Sequence, residues 1–388
     1  MYLSSLSLKD YRNYKRLECA LCPGINIFTG PNAQGKTNLI EAIYYLSIGK
    51  AYRQARDEEL IRWGGDSFLI KGEAGSRPGK IEIEVCYNRA AKPGKEVRAN
   101  GLKQQKWEAV SGLFTSVLFS PESMSVIKGA PQERRGFLDH DLGQISPAYS
   151  ADVYRYRRLL AQRNALLKKV GFSRAPMTDI RERLSLWDKQ LIHYGSRIVE
   201  KRLDFLEKMT PLARLAHRKL THGKENLEIQ YVPYSNETPY PAGVAISKDY
   251  NEISGFLTRQ CEISLEDDLR YKSTRWGPHR DDVSVLLDGK DMRKYGSQGQ
   301  QRTGALALKL AEIEVFRGSS GEYPVLLLDD VLSELDGQRQ EQLLDIITDR
   351  NIQCVVTATE LGNVRLPENR QIRRFSVSDG EIRVIYDS

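Results

Sequence analysis

Apolar and polar positions alternate at the start of the chain. Leu3, Leu6 and Leu8 stand between polar residues and predict a β-strand. We expect residues 1–28 to form two antiparallel strands that are joined through residues 11–14. Further short apolar runs that are typical of strands are residues 25–28, 68–70, 81–85 and 117–119.

The middle of the chain changes to a helical pattern. Pro131 lies where a helix should begin, because proline is favoured in the first turn. From about residue 149 the apolar spacing predicts a long helix, and a second one follows a break at residues 171–176. The apolar positions are Val153, Tyr156, Leu160 and Leu167, then Leu184, Trp187, Leu191, Tyr194, Ile198 and Phe205. They predict an antiparallel helical hairpin with a short coiled-coil-like seam, and two helices of a globular subdomain fit the pattern equally well.

Irregular segments and two turn signals complete the pattern. Residues 222–250 are rich in Gly, Pro, Asn and Tyr and are expected to be irregular or to form short strands, whereas residues 251–270 are predicted to be helical. The dipeptides Asn100-Gly101 and Asp288-Gly289 are strong signals for β-hairpin turns. The sequence thus predicts a mixed α/β fold.

A glycine-rich loop joins a predicted strand to a predicted helix. Residues 30–37 have the sequence GPNAQGKT, and apolar residues at helical spacing follow from Leu39 to Leu46. In this context the backbone N–H groups of the loop and the positive end of the helix dipole form an anion site. We expect Lys36 to reach the β and γ phosphates of a nucleoside triphosphate and the Thr37 hydroxyl to ligate Mg²⁺.

Two carboxylates close an apolar run near the other end of the chain. Residues 325–328 are continuously apolar, which is typical of a strand buried on both faces of a parallel sheet. Such a strand would end beside the glycine-rich loop. Asp329 is then expected to bind Mg²⁺, directly or through water, and Asp330 to orient or activate the attacking water.

A helix rich in Ala and Leu has a second candidate anion site at its start. Residues 297–302 have the sequence SQGQQR, which offers free N–H groups, a hydroxyl and an amide at the helix start. One phosphate is not expected to be shared between this helix and the glycine-rich loop of the same chain. The helix could instead cap the γ-phosphate that a second copy holds.

Bulk composition narrows the class of protein. The 388 residues are enough for two or three domains, and 40% hydrophobic with 28% charged residues is ordinary for a soluble globular protein. No apolar run approaches the roughly 20 residues that cross a bilayer, and the first residues do not resemble a signal peptide. We therefore expect a cytoplasmic protein, whose five cysteines are reduced, mostly buried thiols rather than zinc ligands.

Positive charge is concentrated in the helical middle. The net charge is +7, but residues 151–224 carry 18 Lys and Arg against 7 Asp and Glu, a net charge of +11. The rest of the chain is therefore slightly acidic, at about −4. This asymmetry favours a polyanionic partner, either nucleic acid or an anionic membrane surface, over a merely solvated helix face.

The order of the motifs resembles the ATP-binding-cassette ATPases of the DNA-repair branch that includes the SMC proteins, and several strings are similar to the RecF family. The strings that carry the resemblance are residues 30–42, 119–122, 131–139, 277–282, 297–302 and 327–336. They span nearly the whole chain, with residues 150–260 least covered. The resemblance implies an α/β fold and a two-lobed P-loop ATPase head with a helical second lobe. Its expected divisions are residues 1–120 for the first part of lobe I, 121–322 for lobe II and 323–388 for the return to lobe I.

The resemblance also assigns roles to single residues. The residues expected to bind nucleotide are Arg12, Gly30, Asn32, Gly35, Lys36, Thr37 and Asn38. Lys36 and Asp330 are the catalytic candidates, and Thr37 and Asp329 are the Mg²⁺ ligands. Two heads are expected to close on two ATP molecules, so that Ser297, Gly299 and Gln300 of one chain face the nucleotide of the other, with Asp336 across the interface.

The expected partners follow from the resemblance and the charge. The family binds DNA at gaps and at boundaries of single- and double-stranded DNA, and helps the RecO and RecR proteins to bring the recombinase there. Phosphate contacts are expected from the basic helices and from residues 50–62. The candidate DNA-binding residues are Arg53, Arg56, Arg155, Arg157, Arg158, Arg163, Lys168 and Lys169.

Three departures from the ATP-binding-cassette pattern are visible. Transporter-type cassettes have a glutamate where this chain has Asp330, and the shorter side chain fits slow hydrolysis. Residues 120–122 stand where related ATPases carry a glutamine that contacts Mg²⁺. The switch histidine is absent, so Thr357 or Thr359 is expected to sense the γ-phosphate, while His279 is expected to stabilise a turn.

Other classes of protein stay open at this point. A P-loop kinase for small molecules would need a lid and gives no reason for the string at Ser297. A transporter cassette is disfavoured by the basic helices and the missing switch histidine. An SMC-like ATPase with another DNA role, and a scaffold that binds ATP without hydrolysing it, are the remaining alternatives.

Overall fold

The structure is a computed structural model, and it describes residues 1–52, 55–77, 79–170, 176–236, 247–332, 337–360 and 370–387. The strands are β1 (Tyr2–Tyr11), β2 (Tyr14–Ala20), β3 (Ile25–Thr29), β4 (Ser67–Ser76), β5 (Gly79–Asn88), β6 (Lys95–Ala99), β7 (Leu102–Gln104), β8 (Ser116–Phe119), β9 (Leu227–Val232), β10 (Asp282–Leu287), β11 (Lys290–Asp291), β12 (Val325–Asp329), β13 (Cys354–Ala358), β14 (Ile372–Ser378) and β15 (Glu381–Asp387). The α-helices are α1 (Lys36–Ile48), α2 (Ser125–Lys128), α3 (Pro131–Ile145), α4 (Pro147–Val170), α5 (Met177–Leu220), α6 (Tyr250–Ile263), α7 (Leu265–Tyr271), α8 (Met292–Tyr295), α9 (Gln298–Ser320) and α10 (Gly337–Asp349). Short 3-10 helices are Asp57–Leu60, Trp107–Ala109 and Pro121–Met124.

The chain forms two compact units. The first unit contains Met1–Met124 and Lys309–Ser388, and the second contains Ser125–Leu308. The return to the first unit thus comes inside α9, earlier than the division at residue 323 that the sequence suggested. The expected assignment of lobes stays a prediction.

A mainly parallel sheet organises the first unit. Its strand order is β15-β14-β3-β13-β12-β8, and β3, β13, β12, β8 and β14 run parallel to their neighbours. β15 is antiparallel to β14 at one edge. All five residues of β12 are buried, as continuous apolarity predicted for a strand covered on both faces.

An antiparallel sheet forms the other layer of this unit, with the strand order β2-β1-β4-β5-β6-β7. Helix α1 packs against strands of both sheets, and its residues are buried from Leu39 through Ser47. A helix that is apolar on most of its circumference has to be enclosed in this way. The core around α1 therefore fixes the position of the loop that precedes it.

Helices surround a small sheet in the second unit. β9, β10 and β11 form an antiparallel sheet in the order β11-β10-β9. α5 packs against α4, α6 and β9, so the predicted helical hairpin is part of a globular unit. Leu184, Leu191 and Ile198 of the predicted seam are buried, whereas Trp187 and Tyr194 are half-buried.

The predicted turns are confirmed by backbone geometry. Asn100 and Gly101 have φ values of 49° and 76°, and they join β6 to β7. Asp288 and Gly289 have φ values of 49° and 76° between β10 and β11. Positive φ at both central residues matches the twist of the flanking strands, which is why Asn-Gly and Asp-Gly mark hairpins. None of the described helices is long and apolar enough to span a membrane.

Candidate active site

The carboxyl ends of three neighbouring strands bring the candidate residues together. In the parallel sheet β13 lies between β3 and β12, with Ala358 level with Thr29 and Thr357 level with Asp329. The glycine-rich loop follows β3, and the two carboxylates stand at the end of β12. Residues from opposite ends of the chain therefore share one edge of the sheet.

Two glycines permit the path of the loop. Gly30 has a φ of 155°, and a Cβ built there would lie 2.2 Å from the carbonyl oxygen of Val377. Gly35 has a φ of 113°, and a Cβ there would lie 2.4 Å from the amide of Asn13. Side chains at these two positions would clash with Val377 of β14 and with Asn13, so the loop depends on glycine at both.

The Lys36 side chain folds back onto the glycine-rich loop that precedes it. Its ammonium group donates hydrogen bonds to the carbonyl oxygens of Gly30 (2.6 Å) and Pro31 (2.8 Å). Burial lowers the pKa of Lys36, while the carboxylates of Asp330 and Asp329 oppose that shift. The side chain thus lies at the concave side of the loop, between the carbonyls and the acidic end of β12.

Asp329 meets two hydroxyl groups. Its Oδ1 accepts hydrogen bonds from Thr37 Oγ1 at 3.0 Å and from Thr357 Oγ1 at 2.7 Å. Thr37 and Asp329 therefore present a hydroxyl and a carboxylate oxygen side by side, which are hard ligands that Mg²⁺ accepts together with water and phosphate oxygens. This donor set fits the metal expected from the sequence.

Asp330 has a constrained backbone. Its φ is 54°, in the left-handed region that Asp tolerates better than most residues. Its N–H group donates to Thr357, at 3.1 Å to Oγ1 and 3.2 Å to the carbonyl oxygen. The residue is half-buried, next to the fully buried Asp329. Thr357 thus fixes both carboxylate-bearing residues.

The structure gives the two threonines separate contacts. The Thr357 hydroxyl is buried against Asp329, whereas Thr359 Oγ1 donates to Asn32 Oδ1 of the loop at 3.2 Å. Which of them senses a γ-phosphate stays a prediction. The sequence names both threonines as candidates and does not indicate that one is buried and the other exposed.

Asn13 and Asp379, two turn residues that the sequence did not connect to the site, hold the loop in place. Asn13, between β1 and β2, donates to the carbonyl oxygen of Gln34 (2.9 Å) and accepts from Asn38 (2.8 Å). The N–H group of Asp379, between β14 and β15, donates to Gln34 Oε1 at 2.6 Å. These contacts join residues far apart in sequence, and no local pattern could have indicated them.

Arg12, a predicted nucleotide-binding residue, is engaged within the protein. Its Nε and one terminal nitrogen donate to the two oxygens of Glu41, at 2.9 and 3.2 Å. The other terminal nitrogen donates to the carbonyl oxygen of Glu59 at 3.1 Å. The hydrogen bond to Glu41 and its charge raise the pKa of Arg12 against the effect of burial. Contact of Arg12 with nucleotide stays a prediction.

A reciprocal pair of hydrogen bonds caps the start of the serine-led helix. Gln300 N donates to Ser297 Oγ at 3.2 Å, and Ser297 N donates to Gln300 Oε1 at 2.8 Å. This reciprocal pair is a capping box at the start of α9. Ser297 and Gly299 are exposed, and a Cβ at Gly299 would meet nothing closer than 3.9 Å. The helix start is therefore open to a large anion.

The predicted DNA-binding residues divide into two groups. Exposed cations are Arg56, Arg155, Arg157, Arg158, Lys168 and Lys169. The prediction for Arg163 is wrong, because its side chain is 0% exposed. It donates to Asp188 and Asp268 at 2.6 Å each, and its periodicity on α4 places it on the buried face. Arg53 and Asp336 lie outside the described residues.

Two of the family strings meet each other in the second unit. Arg134 donates to both oxygens of Asp282 at 2.6 Å, and both side chains are buried. His279 contacts the Tyr156 hydroxyl at 2.7 Å and the Thr274 carbonyl oxygen at 3.2 Å. Burial lowers the pKa of His279 to about 3. The ion pair joins residues 131–139 to residues 277–282 within the second unit. His279 bonds to Tyr156 and Thr274, as expected for a histidine that stabilises a turn.

Glu122 lies near the position where related ATPases carry a glutamine. Its Oε2 accepts a hydrogen bond from the Tyr52 hydroxyl at 2.8 Å. The Glu122 carboxylate is thus engaged by Tyr52.

The cysteines are thiols, as the sequence suggested. All five are free; Cys19, Cys22 and Cys354 are buried, and Cys86 and Cys261 are half-buried. Burial raises the pKa of Cys19 to about 12, which keeps that thiol protonated.

Known proteins resemble this chain along almost its whole length. The model of the "RecF/RecN/SMC N terminal domain" matches residues 2–382. The DNA replication and repair proteins RecF of Bacillus cereus and Bacillus thuringiensis (strain Al Hakam) are 40% identical over 383 residues, 98% of this chain and 98% of theirs.

Solved structures of RecF are also similar to this chain. The recombination mediator protein RecF with ATP has a TM-score of 0.88 at 35% identity, and RecF with ATPrS 0.87 at 34%; each covers 99% of this chain and 98% of its own. An SMC head bound to the C-winged helix domain of ScpA shares the fold, with a TM-score of 0.54 at 15% identity, over 99% of this chain and 97% of its own. The α/β fold is that of an SMC-type ATPase head, and the chain belongs to the RecF family.

Proposed function

We propose that this protein is a DNA-binding ATPase of recombinational repair and replication restart. ATP brings two copies together, the dimer holds DNA at gaps and at single-/double-strand junctions, and slow hydrolysis releases it. With RecO and RecR it helps to load the recombinase. The observation that carries the proposal is the meeting of residues 30–37 with Asp329 and Asp330 at one edge of the parallel sheet.

The residues of this edge have distinct tasks. Lys36 would exchange its two carbonyl partners for the β and γ phosphates, which are stronger acceptors because they are charged. Thr37 and Asp329 would hold Mg²⁺, which offsets phosphate charge when it is bound. Asp330 would accept a hydrogen bond from the attacking water, and its anchored N–H group limits how far its short side chain can move. This supports weak ATPase activity.

The helix start at Ser297 supplies the other half of the site. Ser297 and Gly299 are exposed there, and the hydroxyl and the first N–H groups of the helix are suited to an anion. In the proposed dimer this helix start caps the γ-phosphate of the partner chain. ATP then stabilises the dimer because the closed dimer binds it more tightly than the monomer does.

The substitution Ser297→Arg tests the dimer. Sedimentation with ATP and Mg²⁺ is expected to show dimers for the original chain and monomers for the variant, while nucleotide binding to the monomer persists. Ser319→Arg places the same side chain near the far end of the same helix, on an exposed residue, and is the matched control. Intact ATP-dependent dimers of Ser297→Arg would refute the arrangement in trans.

DNA binding is proposed to rest on phosphate contacts from α4. Arg155, Arg158 and Lys168 are exposed there. If six to ten phosphates are contacted, the affinity should fall by about 10³ to 10⁵ between about 50 and 200 mM salt. Arg158→Ala should weaken binding to all sequences alike and reduce the salt slope by about 1. An affinity that barely responds to salt would contradict this account.

DNA should also stimulate ADP release, which a small-molecule kinase would not show.

A further inference from the structure

The amide of Gln300 is held at both ends. Its oxygen accepts the N–H group of Ser297 at 2.8 Å, and its nitrogen donates to Glu225 Oε1 at 2.7 Å. A carboxylate can only accept hydrogen bonds, so it requires the NH₂ end of the amide to face it. The oxygen is then left facing Ser297. Glu225 thus favours the amide orientation on which the capping box depends.

Glu225 is itself well placed for this task. It follows α5 and precedes β9, and the next residue, Asn226, exchanges two hydrogen bonds with Asp288 at 2.9 and 3.0 Å. Its side chain is 22% exposed, and Oε2 lies 3.7 Å from Nε2 of the buried His217. Burial lowers the pKa of His217, which favours the neutral form of that imidazole. The amide of Gln300 donates to a carboxylate oxygen, and such hydrogen bonds are stronger than those to a neutral acceptor.

We infer that Glu225 is a positioning residue for the phosphate-capping helix start, and that it acts through Gln300. Without it the amide can rotate, and the oxygen no longer holds the Ser297 N–H group. The Ser297 hydroxyl accepts the N–H group of Gln300, which leaves its own proton for an anion. The geometry of that hydroxyl is thus linked to Glu225 by consecutive hydrogen bonds. The inference rests on the proposed role of this helix in binding the partner's ATP.

The effect should appear in dimer formation and not in nucleotide binding by the monomer. Glu225 belongs to the second unit, whereas residues 30–37 belong to the first. We expect Glu225→Ala to raise the ATP concentration that gives half-maximal dimer by about tenfold, the effect of about 1.4 kcal/mol. The affinity of the monomer for MgATP should be unchanged.

Two further variants separate positioning from packing. Glu225→Gln keeps a hydrogen-bond acceptor at nearly the same place and should restore most of the dimer. Glu225→Met keeps similar length without an acceptor and should behave like the alanine variant; it replaces that variant if alanine prevents folding. Glu228→Ala is the matched control. Glu228 is a carboxylate close in sequence to Glu225, but it accepts a hydrogen bond from Asn226, whereas the Gln300 amide donates to Glu225. Its removal should therefore leave dimer formation unchanged.

A double-mutant cycle decides whether Glu225 acts through Gln300. In Gln300→Ala the further change Glu225→Ala should have little effect on dimer formation, because the amide is already missing. Additive losses, an unchanged dimer in Glu225→Ala, or no rescue by Glu225→Gln would each overturn the inference. If Ser297→Arg keeps its ATP-dependent dimers, the proposed function itself fails; if only the Glu225 variants behave like the original chain, this inference alone fails.

Discussion

Replacing Thr357 by valine tests how the two carboxylates are held. The hydroxyl donates to the buried Asp329 at 2.7 Å and accepts from Asp330 N at 3.1 Å. A hydrogen bond to a charged group contributes about 1.5–3 kcal/mol, and one between neutral groups about 0.5–1.5 kcal/mol. The added methyl group returns at most about 0.8 kcal/mol. We expect Thr357→Val to lower the free energy of unfolding by about 1–4 kcal/mol.

Thr359→Val is the matched control. Thr359 is exposed, and its hydroxyl makes one neutral hydrogen bond of 3.2 Å to Asn32. Its loss should change stability by less than about 0.5 kcal/mol, as is usual at the surface. Urea unfolding of both variants and of the original chain gives the comparison. Phosphate release should also slow in Thr357→Val, because Asp330 loses an anchor.

Two results would refute this reasoning. Equal stability of Thr357→Val and Thr359→Val would mean that the buried hydroxyl contributes nothing measurable to holding Asp329. Unchanged stability together with a specific loss of discrimination between ATP and ADP would mean that the Thr357 hydroxyl faces the γ-phosphate instead of the carboxylate.

Three further predictions concern hydrolysis, charge and pH. Asp330→Asn should abolish phosphate release while ATP-dependent dimers persist. If the substitution leaves phosphate release unchanged, the protein would instead be a scaffold that binds ATP without hydrolysing it. Arg163→Met should lower the free energy of unfolding by about 3–5 kcal/mol, because two carboxylates lose their buried partner, whereas Arg158→Ala should leave stability unchanged; urea unfolding compares them. Burial raises the pKa of Asp281 from 3.8 to about 6, so between these values the folded protein keeps a proton that the unfolded chain releases. Stability should therefore fall as pH rises from about 4 to about 6 relative to Asp281→Asn, and parallel pH profiles of the two proteins would contradict the shift.

The local elements could be predicted because their causes are local. Residues 30–37 have the glycines that their backbone needs, and the turn dipeptides Asn100-Gly101 and Asp288-Gly289 adopt the positive φ values that these residues tolerate. The continuous apolarity of β12 implied a strand covered on both faces, and the structure confirms it. Each of these features depends on a few neighbouring residues.

Side-chain environment was beyond the reach of the pattern. Arg163 counted as one more cation in a basic segment, yet it lies on the buried face of α4 beside Asp188 and Asp268. Its partners come from α5 and α7, which the sequence could not place next to it. A charge count treats all arginines alike, whereas an arginine is free for phosphate only if the fold leaves its guanidinium in solvent.

The sequence by itself determined the strand, loop and helix that form the proposed phosphate site, and the serine-led start of α9. Backbone conformation and capping depend on residues within a few positions, so the local sequence is enough to predict them. Only the tertiary structure decided that Thr357 joins Asp329 to Asp330, that Asn13 braces the loop, and that Glu225 orients Gln300. These contacts join positions between 21 and 75 residues apart, and their energies depend on burial that exists only after the chain has folded.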